Sequence, residues 1–283
     1  MIRVPRWGAN PAIFLLPLTL FLAAVLLLPI LQVIVQSFET ENGGPFAGYA
    51  KAFTSPLLLN VLANTIEIGL TSTVVILLIG YPIAYHLSRL SPRKRTLCMV
   101  FVLLPFWTSI LVKSYAFAVI LGHDGIINFL LRLVASQDAS IKLLYNRAGA
   151  IIGLTHFLLP FMILPILSNL LLQPPELRKA AFVMGAGRME IFWRITFPLS
   201  LSGVVSGLII CLVLSLGMFV IPALLGGRKD MMFANMIDFY VRETLNWNMA
   251  AVLSIILLVI SSMLIAALLR VRGTGGLVSG GEL

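Results

Sequence analysis

Six apolar runs, at roughly 12–37, 61–87, 97–121, 148–171, 201–222 and 249–269, constrain this chain more than any other feature. Each is about as long as the ~20 residues a helix needs to cross ~30 Å of hydrocarbon. Hydrophobic residues make up 59% of the 283 and charged residues 11%, against about 25% charged in ordinary soluble domains. Inside a bilayer every backbone N–H and C=O must be satisfied by the protein itself, which leaves helices and closed barrels. The runs lack the alternation of a barrel strand, so the sequence predicts an all-α integral membrane protein with six transmembrane helices.

Charge sets the expected orientation. With the N-terminus inside, Arg3, Arg6, Arg89, Arg93, Lys94, Arg95, Arg178, Lys179, Arg188, Arg194, Arg270 and Arg272 are internal, twelve of the twenty basic residues. Seven basic residues are external, matched by seven external acids, and only Glu176, Glu190 and Glu282 are internal acids. The net charge of +9 is thus a topology signal that places both termini in the cytoplasm. These charges are divided among short loops rather than gathered on one basic face, which argues against nucleic acid as a partner.

Other chemistries are excluded by what the chain lacks. Cys98 and Cys211 have no paired metal-ligand spacing around them, and no Gly-x-x-x-x-Gly-Lys-Ser/Thr loop occurs. No metal or cofactor is expected on this chain and no residue is assigned a catalytic role; any ATP must be held by a partner. The run after Arg3 and Arg6 is too long for a cleaved secretion signal and reads as an uncleaved first helix.

One polar insert interrupts the apolar pattern, PPELRKAAFVMGAGRMEIFWRITFP from Pro174 to Pro198. Pro174 and Pro175 end the fourth span and open a short helix near Glu176, whose carboxylate suits a helix N-terminus. Ala180, Ala181 and Met184 offer a low apolar stripe, and Gly185 permits a bend after it. Met189, Phe192 and Ile195 recur at helical spacing in a second limb, and Pro198 can start the fifth span. As a bare pattern this is also what an ordinary loop between two spans looks like.

The spacing Lys179-Ala180-Ala181, Gly185, Ile195, Phe197-Pro198 resembles the cytoplasmic coupling loop of ATP-binding-cassette importer permeases. In that family the pattern is Glu-Ala-Ala, three residues, Gly, nine residues, an aliphatic residue, one residue, then a hydrophobic residue and Pro. Lys179 stands at the usual Glu position, a charge reversal for which Glu176, one turn earlier, is a candidate substitute. LLPFWTSILVKSYAFAVILGHDGIIN (Leu103 to Asn128), HFLLPFMILPILSNL (His156 to Leu170) and PLSLSGVVSGLIICLVLSLGMFVIPALLGG (Pro198 to Gly227) are similar to the spermidine/putrescine-type branch.

The resemblance implies a type I importer permease fold, with residues 1–60 as an N-terminal helix and external segment, 61–269 as the transmembrane domain and 270–283 as a flexible cytoplasmic tail. It implies a bacterial cytoplasmic (inner) membrane location and a multi-pass chain in contact with lipid. The implied partners are a second similar permease, two ATPase subunits that bind ATP and Mg, and an extracytoplasmic solute-binding protein. Glu176, Lys179, Ala180, Ala181, Gly185, Arg188, Ile195 and Pro198 would couple to the ATPase. The implied solute is a polyamine, with an amino acid or other organic cation as the alternative. An ion-coupled secondary transporter is the rival from another class, and it would need midplane carboxylates.

Glu67 and Lys113 are the acidic and basic side chains placed inside spans, where an unpaired ion is costly. They are expected either to pair with each other, to face a second permease, or to reach the headgroups. Trp107, Tyr115 and Phe219 are candidates to line a path, with packing as the competing reading. Gly203-x-x-x-Gly207 suits close helix approach, expected against the second permease or within the chain. The external segments around 122–148 and 222–248 contain amphipathic pieces where an outer partner would dock or that cover helix ends.

Overall fold

The computed structural model describes residues 12–39, 44–134 and 140–276, and its regular backbone there is helical throughout. Arg3, Arg6 and Glu282, used above for orientation, lie outside the described residues. In chain order the helices are α1 (Ala12–Phe38), α2 (Ala47–Thr54), α3 (Pro56–Arg89), α4 (Pro92–Leu103), α5 (Ile110–Leu121), α6 (Ile126–Val134) and α7 (Arg147–Leu172). They continue with α8 (Pro175–Val183), α9 (Arg188–Ile191), α10 (Phe197–Leu216), α11 (Val220–Leu225), α12 (Phe233–Arg242) and α13 (Trp247–Gly276). Among the described residues, six stretches are long and apolar enough to cross a membrane: Pro17–Phe38, Pro56–Arg89, Ile110–Val134, Arg147–Leu172, Arg188–Leu216 and Trp247–Arg270.

The third expected span, 97–121, is not one helix. α4 stops at Leu103, a 3-10 turn occupies Leu104–Trp107, and α5 restarts at Ile110. Pro105 has no N–H to continue the ladder, and its ring crowds the carbonyl four residues earlier. Hydropathy stays high across the break, so an apolar run cannot reveal it.

The core is built by α3, α7 and α10, which pack on one another along their lengths. Ile68, Ile76, Leu154, Leu158, Met162, Ile163, Ile166 and Cys211 are fully buried there. Lipid is as apolar as these side chains, so close van der Waals fit rather than water exclusion holds membrane helices together. Gly203 and Gly207 supply that fit within the chain. A Cβ at Gly203 would lie 2.8 Å from both Asn169 Cβ and the Pro165 carbonyl, and one at Gly207 would lie 2.7 Å from Met162 Sδ. The small-residue pair thus packs on α7, not on a second permease. Two polar ties reinforce the arrangement, Tyr81 to Ser200 at 2.9 Å and Asn169 to Ser202 at 2.6 Å.

A second cluster closes the end of the bundle where α3 and α13 begin, with Leu58, Val61, Phe233, Met236, Val252 and Leu253 buried. α1 lies along α13 and leaves Leu18, Phe21, Leu26 and Leu28 exposed, as a lipid-facing helix would. Its end is tied down by Tyr49, whose hydroxyl meets Ser37 Oγ at 2.7 Å. α13 runs to Gly276, so the chain continues as helix past residue 270.

Candidate coupling and translocation sites

The segment from 174 to 198 folds as an elbow. α8 starts with Pro175 at a position that needs no N–H donor, and Glu176 lies in its first turn. It ends in a Schellman motif: Ala186 N–H donates to the Ala181 carbonyl and Gly185 N–H to the Phe182 carbonyl, both at 3.0 Å. The motif requires a left-handed residue, and Gly185 supplies it with φ +88°. After α9 the chain makes a π turn over Phe192–Thr196, with Phe197 N–H bonded to the Phe192 carbonyl five residues back. Pro198 follows on α10 and lacks the donor for the Arg194 carbonyl, so the widened turn relieves the crowding a proline would cause. Gln173 Nε2 donates to the Thr196 carbonyl at 3.1 Å and ties the two limbs at their base.

Of the expected apolar stripe, Ala180 and Met184 are exposed and Ala181 is not. Ala181 is only 5% exposed, on a helix that packs against the second limb. Phe182, Val183 and Met184 are 67%, 86% and 80% exposed, and Met189 and Trp193 are also bare. Lys179 and Arg188 are exposed, Ile195 is half-buried, and Pro198 is exposed. Lys179, Arg188, Arg178, Arg89, Tyr85 and Phe182 line an open groove of about 800 Å³ between the end of α3 and the elbow. Arg89 closes one side, its guanidinium 4.7 Å from the Tyr85 ring centroid.

The break before α5 forms a second candidate site. Trp107 is 85% exposed and Phe106 and Tyr115 are exposed as well. Irregular backbone at membrane depth is tolerated where protein or a water-filled cavity covers it. The Pro105 carbonyl accepts from Thr108 Oγ1 at 2.8 Å, from Lys113 Nζ at 2.7 Å and, at 3.4 Å, from the Thr108 backbone N–H. Lys113 Nζ also sits 4.5 Å from the Phe157 ring centroid on α7. A matching interruption at 217–219 separates α10 from α11, and the half-buried Phe219 presents its carbonyl to Asn235 Nδ2 at 3.0 Å. α11 packs against α5, which brings the two interrupted segments together.

Glu67 and Lys113 do not pair. Glu67 bonds Arg147, the first residue of α7, and Arg147 also reaches Asp230 at 3.1 Å and Asn64 Oδ1 at 2.7 Å. Asn64 in turn donates to the Lys229 carbonyl at 2.6 Å. α3 and α7 enter the bundle from the same end, so Glu67 meets the charge at the start of α7 before any residue deep in α5. Arg147, Asp230 and Asn64 were missing from the sequence candidates. The available signal was the i, i+3 spacing of Asn64 and Glu67, which makes a polar stripe on an otherwise apolar helix.

The family described as binding-protein-dependent transport system inner membrane component matches residues 76–272, which takes in the elbow and both breaks. The chain belongs to this family. The permease is 36% identical over 246 residues to the spermidine/putrescine transport system permease protein PotB of Haemophilus influenzae, covering 84% of this chain and 86% of that protein. It is 29% identical to PotB of Escherichia coli, over 87% and 91% of the two chains. Its fold is that of a bacterial alginate ABC transporter in complex with a periplasmic protein, with TM-score 0.78 at 19% identity over 91% of both chains. The MetNI methionine ABC transporter aligns with TM-score 0.61 at 18% identity, over 77% of this chain and 96% of that one. The permease is therefore a transport subunit of the bacterial inner membrane rather than an enzyme.

Proposed function

We propose that this permease forms half of the path of an ATP-driven importer for polyamines, paired with a second similar permease, two ATPase subunits carrying ATP and Mg, and an extracytoplasmic binding protein. The solute assignment is carried by the PotB relatives, which align over most of both chains. The coupling assignment rests on the elbow, where the chain turns at Gly185 and Phe182, Val183 and Met184 before it are all exposed. In this reading both termini are cytoplasmic, and the elbow sits in a groove on the ATPase. Closure of the ATPase dimer moves α8, and the π turn and Gln173 pass that motion to α10 and α7.

Trp107, Lys113, Tyr115 and Phe219 lie along or beside the two interruptions and form the wall facing the second permease. Glu67 stands apart from them, in the outer cluster with Arg147. In this reading the amphipathic α6 and α12 lie on the outer side, where the binding protein would release solute. Solute choice then belongs mainly to the binding protein. The test is uptake of labelled putrescine and spermidine into proteoliposomes holding the complete transporter, with its cognate binding protein and ATP. ATP-dependent uptake of amino acids with neither polyamine taken up would overturn the solute assignment.

A further inference from the structure

The ammonium of Lys113 is satisfied without a carboxylate. Among the described residues, Glu67 and Asp230 are both taken by Arg147, and Lys113 has instead the Pro105 carbonyl at 2.7 Å and the Phe157 ring at 4.5 Å. A carbonyl oxygen and a π face are both uncharged groups that attract a cation. Both are held by rigid neighbours. Pro105 lies in the 3-10 turn, pinned by Thr108. Phe157 is on α7, in an aromatic run with Phe161 at 6.3 Å, which in turn meets Phe106 at 5.7 Å.

We propose that the Pro105 carbonyl and the Phe157 ring form a primary-ammonium site within the membrane, held by Lys113 in this state and open to a terminal ammonium of the transported solute once Lys113 swings away. The assignment of the solute rests on the polyamine reading above. Beyond its Cβ, a lysine side chain is n-propylammonium. The end of a linear polyamine is the same chemical group with the same charge, so a site that satisfies one satisfies the other, and the two exclude each other. Lys113 is tethered, which gives it a high effective concentration at the site. A solute ammonium therefore occupies the site only transiently, and conduction needs sites that bind well enough to enter and weakly enough to leave. Lys113 thus acts as a built-in competitor that keeps the solute moving.

The test uses the assembled transporter with Lys113→Ala, which removes the tethered ammonium and leaves its space. Equilibrium dialysis with labelled n-propylammonium is expected to show about one more equivalent bound per permease than in the parent. Adding Phe157→Leu should weaken that binding about five- to thirtyfold, from the upper end of an exposed to a desolvated cation–π contact. Putrescine should compete for the same equivalent, and n-propanol, its neutral isostere, should not. If Lys113→Ala assembles poorly, millimolar n-propylammonium, but not n-propanol, should restore the yield of complex. No added binding and no rescue would overturn the proposal, as would binding indifferent to Phe157→Leu. Putrescine uptake by the parent transporter is measured alongside. Uptake without the extra ammonium site removes the site and keeps the polyamine reading. The site present without polyamine uptake removes the solute from it and overturns both that reading and the competitor role.

Discussion

The two ends of the bundle solve the problem of loose polar and apolar groups in opposite ways. At the end where α3 and α7 begin, Arg147 joins Glu67, Asp230 and Asn64, and Phe233 and Met236 are buried beneath. At the other end, the elbow exposes Phe182, Val183 and Met184, beside a groove lined by Arg89, Arg178, Lys179 and Arg188. At the first end the charges of Arg147, Glu67 and Asp230 bond one another, although Leu57, Phe239 and Trp247 are exposed nearby; at the second, four basic side chains line an open groove beside bare apolar ones. In the proposed arrangement that face meets water, and an exposed apolar cluster there is read as a docking surface. Substitutions at the first end should therefore be read in stability, and substitutions at the second in assembly and transport.

The largest separation of these readouts is expected from Phe182→Ala. An aromatic anchor at the centre of an interface contributes about 2 kcal/mol or more, about thirtyfold in affinity. Because Phe182 is 67% exposed, thermal unfolding of the permease should hardly change. Co-purification with the ATPase and ATP-driven uptake should both fall. If the variant loses stability and keeps its ATPase, the contrast between the ends is wrong. Gly185→Val should act next most strongly. No atom lies within 4 Å of a Cβ built at Gly185, so the cost comes from φ +88° alone, about 1–2 kcal/mol for an L-residue in the left-handed region. The elbow would be displaced rather than unfolded, so uptake should fall about five- to thirtyfold while the permease stays folded. Full solute-stimulated ATP hydrolysis and uptake in that variant would remove the role given to Gly185.

Arg147→Met probes the opposite end and should show the opposite pattern. It strands Asp230, whose side chain is 14% exposed, and frees Glu67, which is 59% exposed. Charge-assisted hydrogen bonds contribute about 1.5–3 kcal/mol each, but the exposed Glu67 partner brings little of that. A loss of about 1–2 kcal/mol in stability follows, with ATPase association unchanged. A double-mutant cycle between Glu67→Gln and Arg147→Met should show coupling, and one between Glu67→Gln and Lys113→Met should show none. The reverse result would restore the pairing first expected from the sequence.

How far the sequence carried depended on whether a feature was local. Span number, the Pro175 start of α8 and the Gly185 bend follow from run length, proline stereochemistry and glycine conformational freedom, all legible along the chain. The partners of Glu67 and Lys113 were not, because they depend on which helices enter from the same end and at what height. The break at 104–109 was hidden for a different reason: Pro105 was visible, but prolines at 82, 160 and 165 sit inside unbroken helices. Here the helix stops, and the Pro105 carbonyl is taken up by Thr108 and Lys113, contacts that the position of a proline along the chain does not announce. Ala181 misled in the same way, since its outward or inward facing depends on the second limb.

Lys179→Glu should give the smallest effect and the finest test of the contrast. The change restores the acidic residue of the usual pattern, but here it falls in a groove already lined by Arg89, Arg178 and Arg188. Within α8 it replaces a favourable i, i+3 neighbour of Glu176 by a like charge, at a cost of about 0.2–0.5 kcal/mol, so the helix should remain. What changes is the sign of an exposed charge on the docking face. Exposed charges act on encounter more than on final affinity, and they are screened within about 8 Å at physiological salt. A severalfold fall in the ATPase association rate at low ionic strength, vanishing as salt is raised, is therefore expected from a groove that meets an acidic surface. A faster rate at low salt would mean that the ATPase face is basic and that Lys179 opposes docking. An effect of equal size at all salt concentrations would mean that Lys179 acts through direct packing, and that the groove contributes shape rather than charge.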